Sequence, residues 1–523
     1  MSTGLDTRYS AQASPERVGK VSYEPCVPGA KHTTNHTIDN DPDEAFKLVI
    51  AHAGVSVVIT PEEEAKLLRK IDFHMMPLMC IIYGLNFIDK TTLSYVSIVG
   101  FKTDLNLGVS EYNWVASVFY FGYLMWEWPT NRLLQRLPLA KYTSCTVMLW
   151  GLVLASMAAV KGFKSALAVR FFLGVAEAST NPALVLFTSQ WYATSEQSTR
   201  VSWWVSCVGW SQIIGGAVAY GVVIGTTQAS LAIKGWQLIF LVFGFFTALI
   251  GVVFLYWMPD SPLKAQFLTE HEKLMAIERI RMNQQGVGNK HFKWYQCKEA
   301  LTDPMAWGIV ASGFFLSLTR GGITNYFSQL IVSFGFTPTQ SLLLGMPAGA
   351  VQVIAPLVFG HLGRRSSNRI LVHSMAFLLA VSGLLLIRFL PPDNRGGRLA
   401  GYYVEGSASV GYMCLFSIVS SNVAGWTKKT TTLAMFLIWY CAGNIVGPQV
   451  YQPGDQPAYH TAITVAFVSM ILSFLAIVAI HFWCRRQNAI KASIRAAPGY
   501  KKVDGQEFMD LTDRENPEFV YVL

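Results

Sequence analysis

The sequence predicts an all-α polytopic membrane protein with twelve transmembrane helices in two six-helix bundles. Of its 523 residues, 52% are hydrophobic and only 14% are charged, whereas soluble domains contain about 25% charged residues. The apolar runs are long enough for helices, which need about 20 residues to cross the hydrocarbon layer, and they lack the short alternating pattern of a transmembrane barrel. The apolar runs form two groups of six, which are separated by a polar stretch from Asp260 to Asp303.

Twelve apolar runs define the predicted spans. They cover residues 73–96, 113–134, 140–160, 165–188, 201–225, 236–258, 306–332, 340–361, 369–390, 400–424, 431–450 and 460–484. The predicted segments are a disordered cytoplasmic N-terminal tail (1–70), an N-terminal six-helix domain (71–259), a cytoplasmic linker (260–304), a C-terminal six-helix domain (305–485) and a cytoplasmic C-terminal tail (486–523).

The tails and the linker differ in their patterns. Residues 1–60 and 500–523 are polar with few aromatics, so we expect both to be disordered. Within the linker, Thr269 followed three residues later by Glu272 matches a capping box at the start of a short amphipathic helix. We expect this helix to be a solvated tether.

The distribution of Lys and Arg predicts the orientation. With the N-terminus inside, the inner flanks and loops carry 23 basic residues against 7 on the other side. Because Lys and Arg favour cytoplasmic loops, both termini are predicted in the cytoplasm, and we expect a plasma membrane location. The net charge of +9 is thereby explained by topology, which excludes nucleic acid as a partner and leaves the lipid bilayer.

The cysteines do not indicate a site. Eight cysteines are scattered along the chain without a CxxC pair, so they predict neither a disulfide framework nor a metal centre. No cluster of His, Cys or Asp has metal-ligand or nucleophile spacing. We therefore expect no enzyme activity, no metal and no bound cofactor.

Charged residues inside the spans are the strongest functional signal, because each costs about 2.5 to 3.5 kcal/mol at a helix centre and therefore faces a cavity or a partner. Five of the six lie in the first half, which predicts that the N-terminal bundle carries the ion chemistry. They are Asp89, Lys90, Glu127, Arg170, Glu177 and Arg320. We interpret Glu127, two residues before Pro129, as a structural carboxylate near a proline kink.

Arg170 and Glu177 lie in the motif RFFLGVAEASTNPA. Seven residues bring both onto nearly one helix face, about 10.5 Å apart along the axis. They cannot form a one-turn ion pair, so each needs another partner. We interpret them as two stations on a stripe that faces a cavity, with Gly174 between them and a Gly174–Ala178 step that admits a neighbouring helix.

Span 1 contains the motif GLNFIDKTTLSY, in which Asp89 lies beside Lys90 and Asn86 one turn earlier. A carboxylate in a cavity of low dielectric can load and release a proton when a cation is nearby. This pattern predicts proton coupling at Asp89 and Glu177, with Lys90, Arg170 and Asn86 contacting an anion. The alternative is a pair of structural ion pairs that lock helices together.

Span 7 joins a charge to two glycines and two amides. Gly321 and Gly322 each weaken a helix by about 1 kcal/mol relative to Ala, which favours a break and a gate. Asn325 and Gln329 follow one turn apart and are candidate substrate-binding residues. A helix end with polar capping groups is the alternative.

Span 11 has the same composition in YCAGNIVGPQVY. Asn444 is a candidate substrate-binding amide, and Gly443, Gly447 and Pro448 are candidate hinge residues. Helix packing is an equally good explanation for any single amide.

These motifs, in this order between about residues 70 and 490, resemble the major facilitator superfamily, and within it the anion:cation symporter family in its fungal allantoate-permease-like branch. The resemblance implies alternating access between two six-helix domains and uptake of small organic anions, vitamins or nitrogen compounds, commonly with protons. It also implies proton sites at Asp89 and Glu177, with Lys90 and Arg170 as the neighbouring basic residues. The motifs include GYLMWEWPTNRLLQRLP, PDSP, GGITNYFSQLI, SNVAGWTKK and CAGNIVGPQ.

Two features depart from the family pattern. The superfamily loop signature G-x-x-x-D-R-x-G-R-R has no matching Asp in NRLLQRLPLAKY, and GHLGRRSSNR echoes it only in part. Arg320 stands where a neutral residue is expected. We therefore predict a monomeric, proton-coupled symporter of a small organic anion, with a different charge or size preference from close relatives. An exporter of a secondary metabolite or drug, or a nutrient sensor without transport, remain the alternatives.

Overall fold

The computed structural model describes residues 60–228, 232–281, 292–366, 368–498, 500 and 511–523, and within these ranges the regular structure is helical, without strands. The α-helices are α1 (Pro61–Ser97), α2 (Phe101–Asp104), α3 (Val109–Arg136), α4 (Leu139–Ser156), α5 (Phe163–Glu177), α6 (Thr180–Trp191), α7 (Thr194–Gln228), α8 (Gly235–Trp257), α9 (Glu270–Arg281), α10 (Trp294–Thr302), α11 (Pro304–Ser333), α12 (Pro338–Leu344), α13 (Met346–Arg365), α14 (Arg369–Phe389), α15 (Arg395–Glu405), α16 (Ser409–Asn422), α17 (Trp426–Gln449) and α18 (His460–Arg495).

Every predicted span coincides with one helix or with two consecutive helices. Nine candidate spans in the described part are long and apolar enough to cross a membrane, or up to ten if α10 and α11, bent by 61°, form one span. The other two predicted spans are α3 and the pair α15–α16, whose polar residues lower their hydropathy. On α3 the polar side chains of Asn113 and Ser117 are buried and donate to carbonyls of the other bundle, so these groups avoid lipid.

The first helix begins earlier than the predicted limit of the N-terminal tail. Thr60 caps α1 with a capping box to Glu63, and Pro61 occupies the first helical position, where its missing N–H is not needed. Residues 61–70, which we predicted to belong to a disordered tail, are therefore helical. The predicted disorder of residues 1–59 lies outside the described residues.

The C-terminal segment is the second correction. The helix α18 continues to Arg495, and residues 511–523, predicted to be disordered, pack against the helix ends of the C-terminal half. Asn488 exchanges two hydrogen bonds of 2.8 Å with the backbone of Tyr521, and Asn422 does the same with Val522 at 2.9 and 2.8 Å. The polar composition predicted disorder, but the polar residues of this segment have specific partners far away in sequence.

The predicted linker helix is present, and its cap is confirmed. The Thr269 N–H donates to Glu272 Oε2 at 2.8 Å, and the Glu272 N–H donates to Thr269 Oγ1 at 3.3 Å. The helix is docked rather than solvated, since Lys70 of α1 contacts Glu272 at 2.7 Å and Arg279 contacts Glu64 and Glu196. Partial burial alone would raise the pKa of Glu272, but the hydrogen bonds from Lys70 and Thr269 outweigh it and lower the pKa.

The two bundles meet chiefly along four helix pairs. The helices α1 and α3 of the first bundle pack against α11 and α17 of the second, and α7 packs against both α12 and α13. At the α7–α13 crossing, a Cβ added to Gly209 would lie 2.3 Å from the carbonyl oxygen of Gly349, and the reverse distance is 2.4 Å. The two backbones therefore touch in the middle of the interface. The predicted domain limits at 71–259 and 305–485 remain predictions.

The helices α3 and α5 cross at a reciprocal pair of glycines, as the Gly174 motif predicted. A Cβ on Gly174 would lie 2.0 Å from the Phe119 carbonyl oxygen, and a Cβ on Gly122 would lie 2.1 Å from that of Phe171. Neither backbone can move without separating the helices. The crossing fixes the height of Arg170 and Glu177 relative to α3.

We expect Gly174→Ala to destabilise the protein, because its methyl group would overlap the backbone of α3. Overpacking typically costs about 1 to 3 kcal/mol. Thermal unfolding in detergent would measure the loss. Gly221→Ala in α7 is the matched control, since its Cβ would meet nothing within 4 Å and should leave the melting temperature unchanged or slightly raised. Equal melting temperatures for the two variants would contradict the proposed close crossing.

Candidate functional site

A small cavity lies between the two bundles. Its lining includes Phe87 and Thr91 of α1, Gln212 of α7, and Arg320 and Glu405 of the second bundle. Its volume is about 10 Å³, room for about one water molecule, whereas small-molecule sites usually enclose about 300 Å³ or more. The cavity is therefore too small to hold a solute in this conformation, and the side chains or helices around it must move before a solute can bind there.

Hydrogen bonds join the bundles at the end away from the linker. Tyr112 Oη donates to the Asn325 carbonyl at 2.7 Å, and Ser117 Oγ donates to the Ile445 carbonyl at 2.7 Å. Gln449 Nε2 donates back to Ser117 Oγ at 3.1 Å. These contacts close the access path on that side.

Asp89 and Arg170 form the first of two ion pairs in the interior of the first bundle. Arg170 Nη1 lies 3.4 Å from Asp89 Oδ1, and the side chains are 3% and 0% exposed. Trp150 Nε1 donates to the other oxygen of Asp89 at 2.8 Å. The guanidinium also lies over the ring of Phe119, 5.3 Å from its centroid, and its Nε donates to the Val115 carbonyl at 3.4 Å, so Arg170 has three partners.

Glu177 and Lys90 form the second pair. Lys90 Nζ lies 2.5 Å from Glu177 Oε1, and Asn86 Nδ2 donates to the same oxygen at 2.7 Å. Lys90 also donates to Asn86 Oδ1 at 2.6 Å. Glu177 is fully buried, and its second oxygen, Oε2, has no hydrogen-bond partner among the described residues. A buried carboxylate oxygen without a donor is costly while the group is charged.

Arg170 and Glu177 are not paired with each other, as the spacing predicted, and each has its own partner on α1. Neither residue is among those that line this small cavity, and both pack toward α1; their orientation toward a transport cavity remains a prediction. Within span 4 the first helix ends at Glu177 and the next begins at Thr180, but Ala178 and Ser179 keep right-handed helical backbone angles, so the span continues through this point.

Two of the predicted substrate amides lie at the closed end rather than in the cavity. Asn325 Nδ2 donates to the Gly321 carbonyl within its own helix at 2.8 Å. Gln329 accepts from Lys102 at 3.3 Å and from Tyr459 at 3.2 Å. In this conformation both residues hold helices together. Their predicted contact with substrate requires an opened state.

The glycines of spans 7 and 11 form a packing seam. The helix α11 continues through Gly321 and Gly322 without the predicted break. A Cβ on Gly443 would lie 2.5 Å from the Phe314 carbonyl oxygen, and one on Gly447 would lie 2.5 Å from that of Leu318. Close packing against α17 thus offsets the low helix propensity of Gly321 and Gly322.

The remaining predicted residues of span 11 lie in the same seam. Asn444 Nδ2 donates to the Tyr440 carbonyl at 2.9 Å, and a Cβ on Gly321 would lie 2.9 Å from the Asn444 Cα. Pro448 lies one residue before the end of α17. Their hinge and binding roles remain predictions.

The partners of Arg320 were not predicted from the sequence. Arg320 Nη2 donates to Gln352 Oε1 at 3.0 Å, and Nη1 lies 3.5 Å from Glu405 Oε2. Gln352 Nε2 then donates to Gln212 Oε1 of the first bundle at 2.5 Å. Glu405 lies within the predicted span 400–424, so the same criterion of charge inside a span identifies it. Gln352 and Gln212 are uncharged and gave no comparable signal.

The fold and this central site define a secondary membrane transporter rather than an enzyme. The sequence profile described as Major Facilitator Superfamily matches residues 79–448. The chain is 37% identical over 496 residues to an uncharacterized transporter of Schizosaccharomyces pombe, covering 95% of this chain and 94% of that one. It is 38% identical over 504 residues to the allantoate permease of Saccharomyces cerevisiae, covering 93% and 91%.

A solved structure shares the fold. A bacterial homolog of the human lysosomal transporter Spinster, in an inward-facing and occupied conformation, superposes with a TM-score of 0.59 at 16% identity, covering 82% of this chain and 98% of that one. The chain belongs to the Major Facilitator Superfamily, in the fungal allantoate-permease-like branch. It is a multi-pass membrane protein that transports a small molecule.

Proposed function

We propose that the protein is a monomeric, proton-coupled symporter that imports a small organic anion across the plasma membrane, with both termini and the linker in the cytoplasm. The observation that carries this proposal is Glu177. Its carboxylate is fully buried beside Lys90, and one of its oxygens lacks a hydrogen-bond partner in the described structure. A proton bound at this oxygen would remove the uncompensated charge.

The proton is the coupling ion that these groups suit. Buried carboxylates next to a cation change protonation when the cation is displaced or when water enters. Both Asp89 and Glu177 have such a cation, on or near the interface helix α1. Opening of the bundles would let water reach these pairs and exchange their protons with one side of the membrane.

The charges of the central region support an anion as the transported solute. Three acidic and three basic side chains form ion pairs there, so their formal charges balance. They are Asp89, Glu177, Glu405, Lys90, Arg170 and Arg320. A monoanion that enters with one proton preserves the balance, and uncompensated charge is costly inside the membrane. The name of the allantoate permease relative also supports a carboxylate, since allantoate is one.

The distribution of basic residues supports the proposed orientation in the membrane. Lys and Arg concentrate in the loops on the side of the linker, a bias that is typical of cytoplasmic loops. The hydrogen bonds at the opposite end, such as Tyr112 to Asn325, then close the extracellular path. Import requires these contacts to open before substrate and proton can enter.

The proposed function is tested by uptake into proteoliposomes that contain the purified protein. We expect labelled allantoate, nicotinate, pantothenate or biotin to accumulate when the exterior is made one pH unit more acidic. One coupled proton supplies about 1.36 kcal/mol per pH unit, which corresponds to about tenfold accumulation. Collapse of the gradient with a protonophore should remove the accumulation. Accumulation that is unchanged by the protonophore would contradict proton coupling.

A further inference from the structure

Arg320 lines the central cavity and uses few of the hydrogen-bond donors of its guanidinium group. The residue is 8% exposed, and a guanidinium offers five N–H donors. In the described structure it makes one hydrogen bond of 3.0 Å to Gln352 and one long contact of 3.5 Å to Glu405. A bidentate carboxylate pair usually has two contacts of about 2.7 to 2.9 Å. Arg320 therefore retains donors for a further acceptor.

The carboxylate of Glu405 likewise has few hydrogen-bond and ion-pair partners. It is 1% exposed, and its Oε1 atom has no hydrogen-bond partner in the described part of the chain. Its only ion pair there is the long contact to Arg320. A single 3.5 Å contact is a weak hydrogen bond, so a better-placed carboxylate can compete for Arg320, provided that a proton taken up with it neutralises the buried Glu405.

The two glutamines place this pair at the point where the bundles meet. Gln352 receives the hydrogen bond of Arg320 and donates to Gln212 of the first bundle at 2.5 Å. Gln212 also donates to Tyr402 Oη at 2.8 Å, one turn before Glu405. A solute that moves Arg320 must therefore also change a contact between the bundles.

We propose that Arg320 binds the carboxylate of the transported solute, and that Glu405 pairs with Arg320 in its place when no solute is bound. Entry of a small monocarboxylate moves Arg320 from Glu405 and Gln352 to two parallel hydrogen bonds with the solute. Release of Gln352 loosens its bond to Gln212, so occupancy is linked to the interface between the bundles. This inference rests on the proposed anion transport and assigns the anion a site in the second bundle, away from Asp89 and Glu177.

The site predicts the class of solute. One guanidinium and one displaceable carboxylate suit a single carboxylate group, whereas a dicarboxylate would leave one charge without a cation there. The amides of Gln212 and Gln352 can donate to and accept from neutral polar groups elsewhere on the solute. We expect monocarboxylates to bind and their uncharged amides to bind weakly.

Binding is tested without transport, by the thermal shift of the purified protein with allantoate, nicotinate, pantothenate or biotin, and with nicotinamide as the uncharged counterpart of nicotinate. We expect Arg320→Gln to weaken carboxylate binding at least tenfold, and Glu405→Gln to leave it equal or several-fold tighter because the competitor is gone. Arg320→Lys should recover part of the loss. Arg398→Gln is the matched control, since Arg398 is a buried arginine of the same half that contacts the Ile387 carbonyl.

Each outcome decides the proposal. Unchanged carboxylate affinity in folded Arg320→Gln would overturn it, as would an equal loss in Glu405→Gln, which is expected of a purely structural pair. Binding of none of the four carboxylates by the wild-type protein would also overturn it. Arg320-dependent binding without uptake driven by a pH gradient would instead contradict proton coupling and leave the binding site supported.

Discussion

Glu177→Gln is expected to abolish accumulation of the substrate against its gradient while leaving substrate exchange across the membrane. Glutamine has the shape of the protonated carboxyl group but cannot release a proton, so the pH gradient would no longer be coupled to the solute. Accumulation driven by one pH unit should fall from about tenfold to onefold. Proteoliposomes with substrate on both sides would measure exchange, and empty ones under a pH gradient would measure accumulation.

The neighbouring carboxylates separate this role from a structural one. Asp89→Asn should weaken accumulation in the same way, with a loss of stability because the buried guanidinium of Arg170 loses its carboxylate partner, and one amide oxygen cannot accept from both Arg170 and Trp150 as the two carboxylate oxygens do. Glu127→Gln is the control, since Glu127 also has an unpartnered oxygen but forms no ion pair within the described residues and contacts the neutral side chains of Asn131 and Tyr123. Wild-type accumulation in Glu177→Gln would show that the pair with Lys90 serves only to hold α1 against α5.

The helical spans could be predicted from the sequence because the bilayer imposes one requirement on all of them. Each span must be apolar for about 20 residues, and this pattern is independent of its neighbours. How the spans pack against one another was not predictable, since the contacts join residues far apart in sequence. The glycines 321 and 322 show the same limit: local propensity predicted a break, and the close approach of α17 keeps the helix continuous.

The site was predictable in part. The seven-residue spacing of Arg170 and Glu177 required separate partners, and the neighbouring charges Asp89 and Lys90 were available. Which acid pairs with which base depends on the relative height of α1 and α5, and the Gly174 crossing sets the height of α5 against α3. The Arg320 site needs contacts between residues 32 and 85 positions apart, which no local pattern encodes.

Lys428→Met is expected to destabilise the folded protein more than any other single change outside the two ion pairs of the first bundle. Lys428 is fully buried and lies 2.6 Å from Asp303, 2.7 Å from Asp513 and 2.9 Å from Glu299. Methionine fills the same space but leaves these carboxylates close together without their shared cation. Removal of one partner from a buried ion pair costs about 3 to 5 kcal/mol.

The loss would be measured by thermal unfolding of the detergent-solubilised protein and by the monodisperse fraction in size-exclusion chromatography. Lys429→Met is the matched control, because the adjacent lysine is only partly buried and donates to the Ser420 carbonyl. Deletion of residues 511–523 should destabilise less than Lys428→Met, because it removes Asp513 and leaves Lys428 paired with Asp303 and Glu299. The deletion removes the acid Asp513 together with the other acceptors of the C-terminal segment, whereas the methionine variant removes only the cation. The order of the two effects therefore distinguishes loss of charge compensation from loss of packing. A deletion as damaging as Lys428→Met would mean that the C-terminal segment stabilises the helix ends chiefly by its packing and backbone hydrogen bonds.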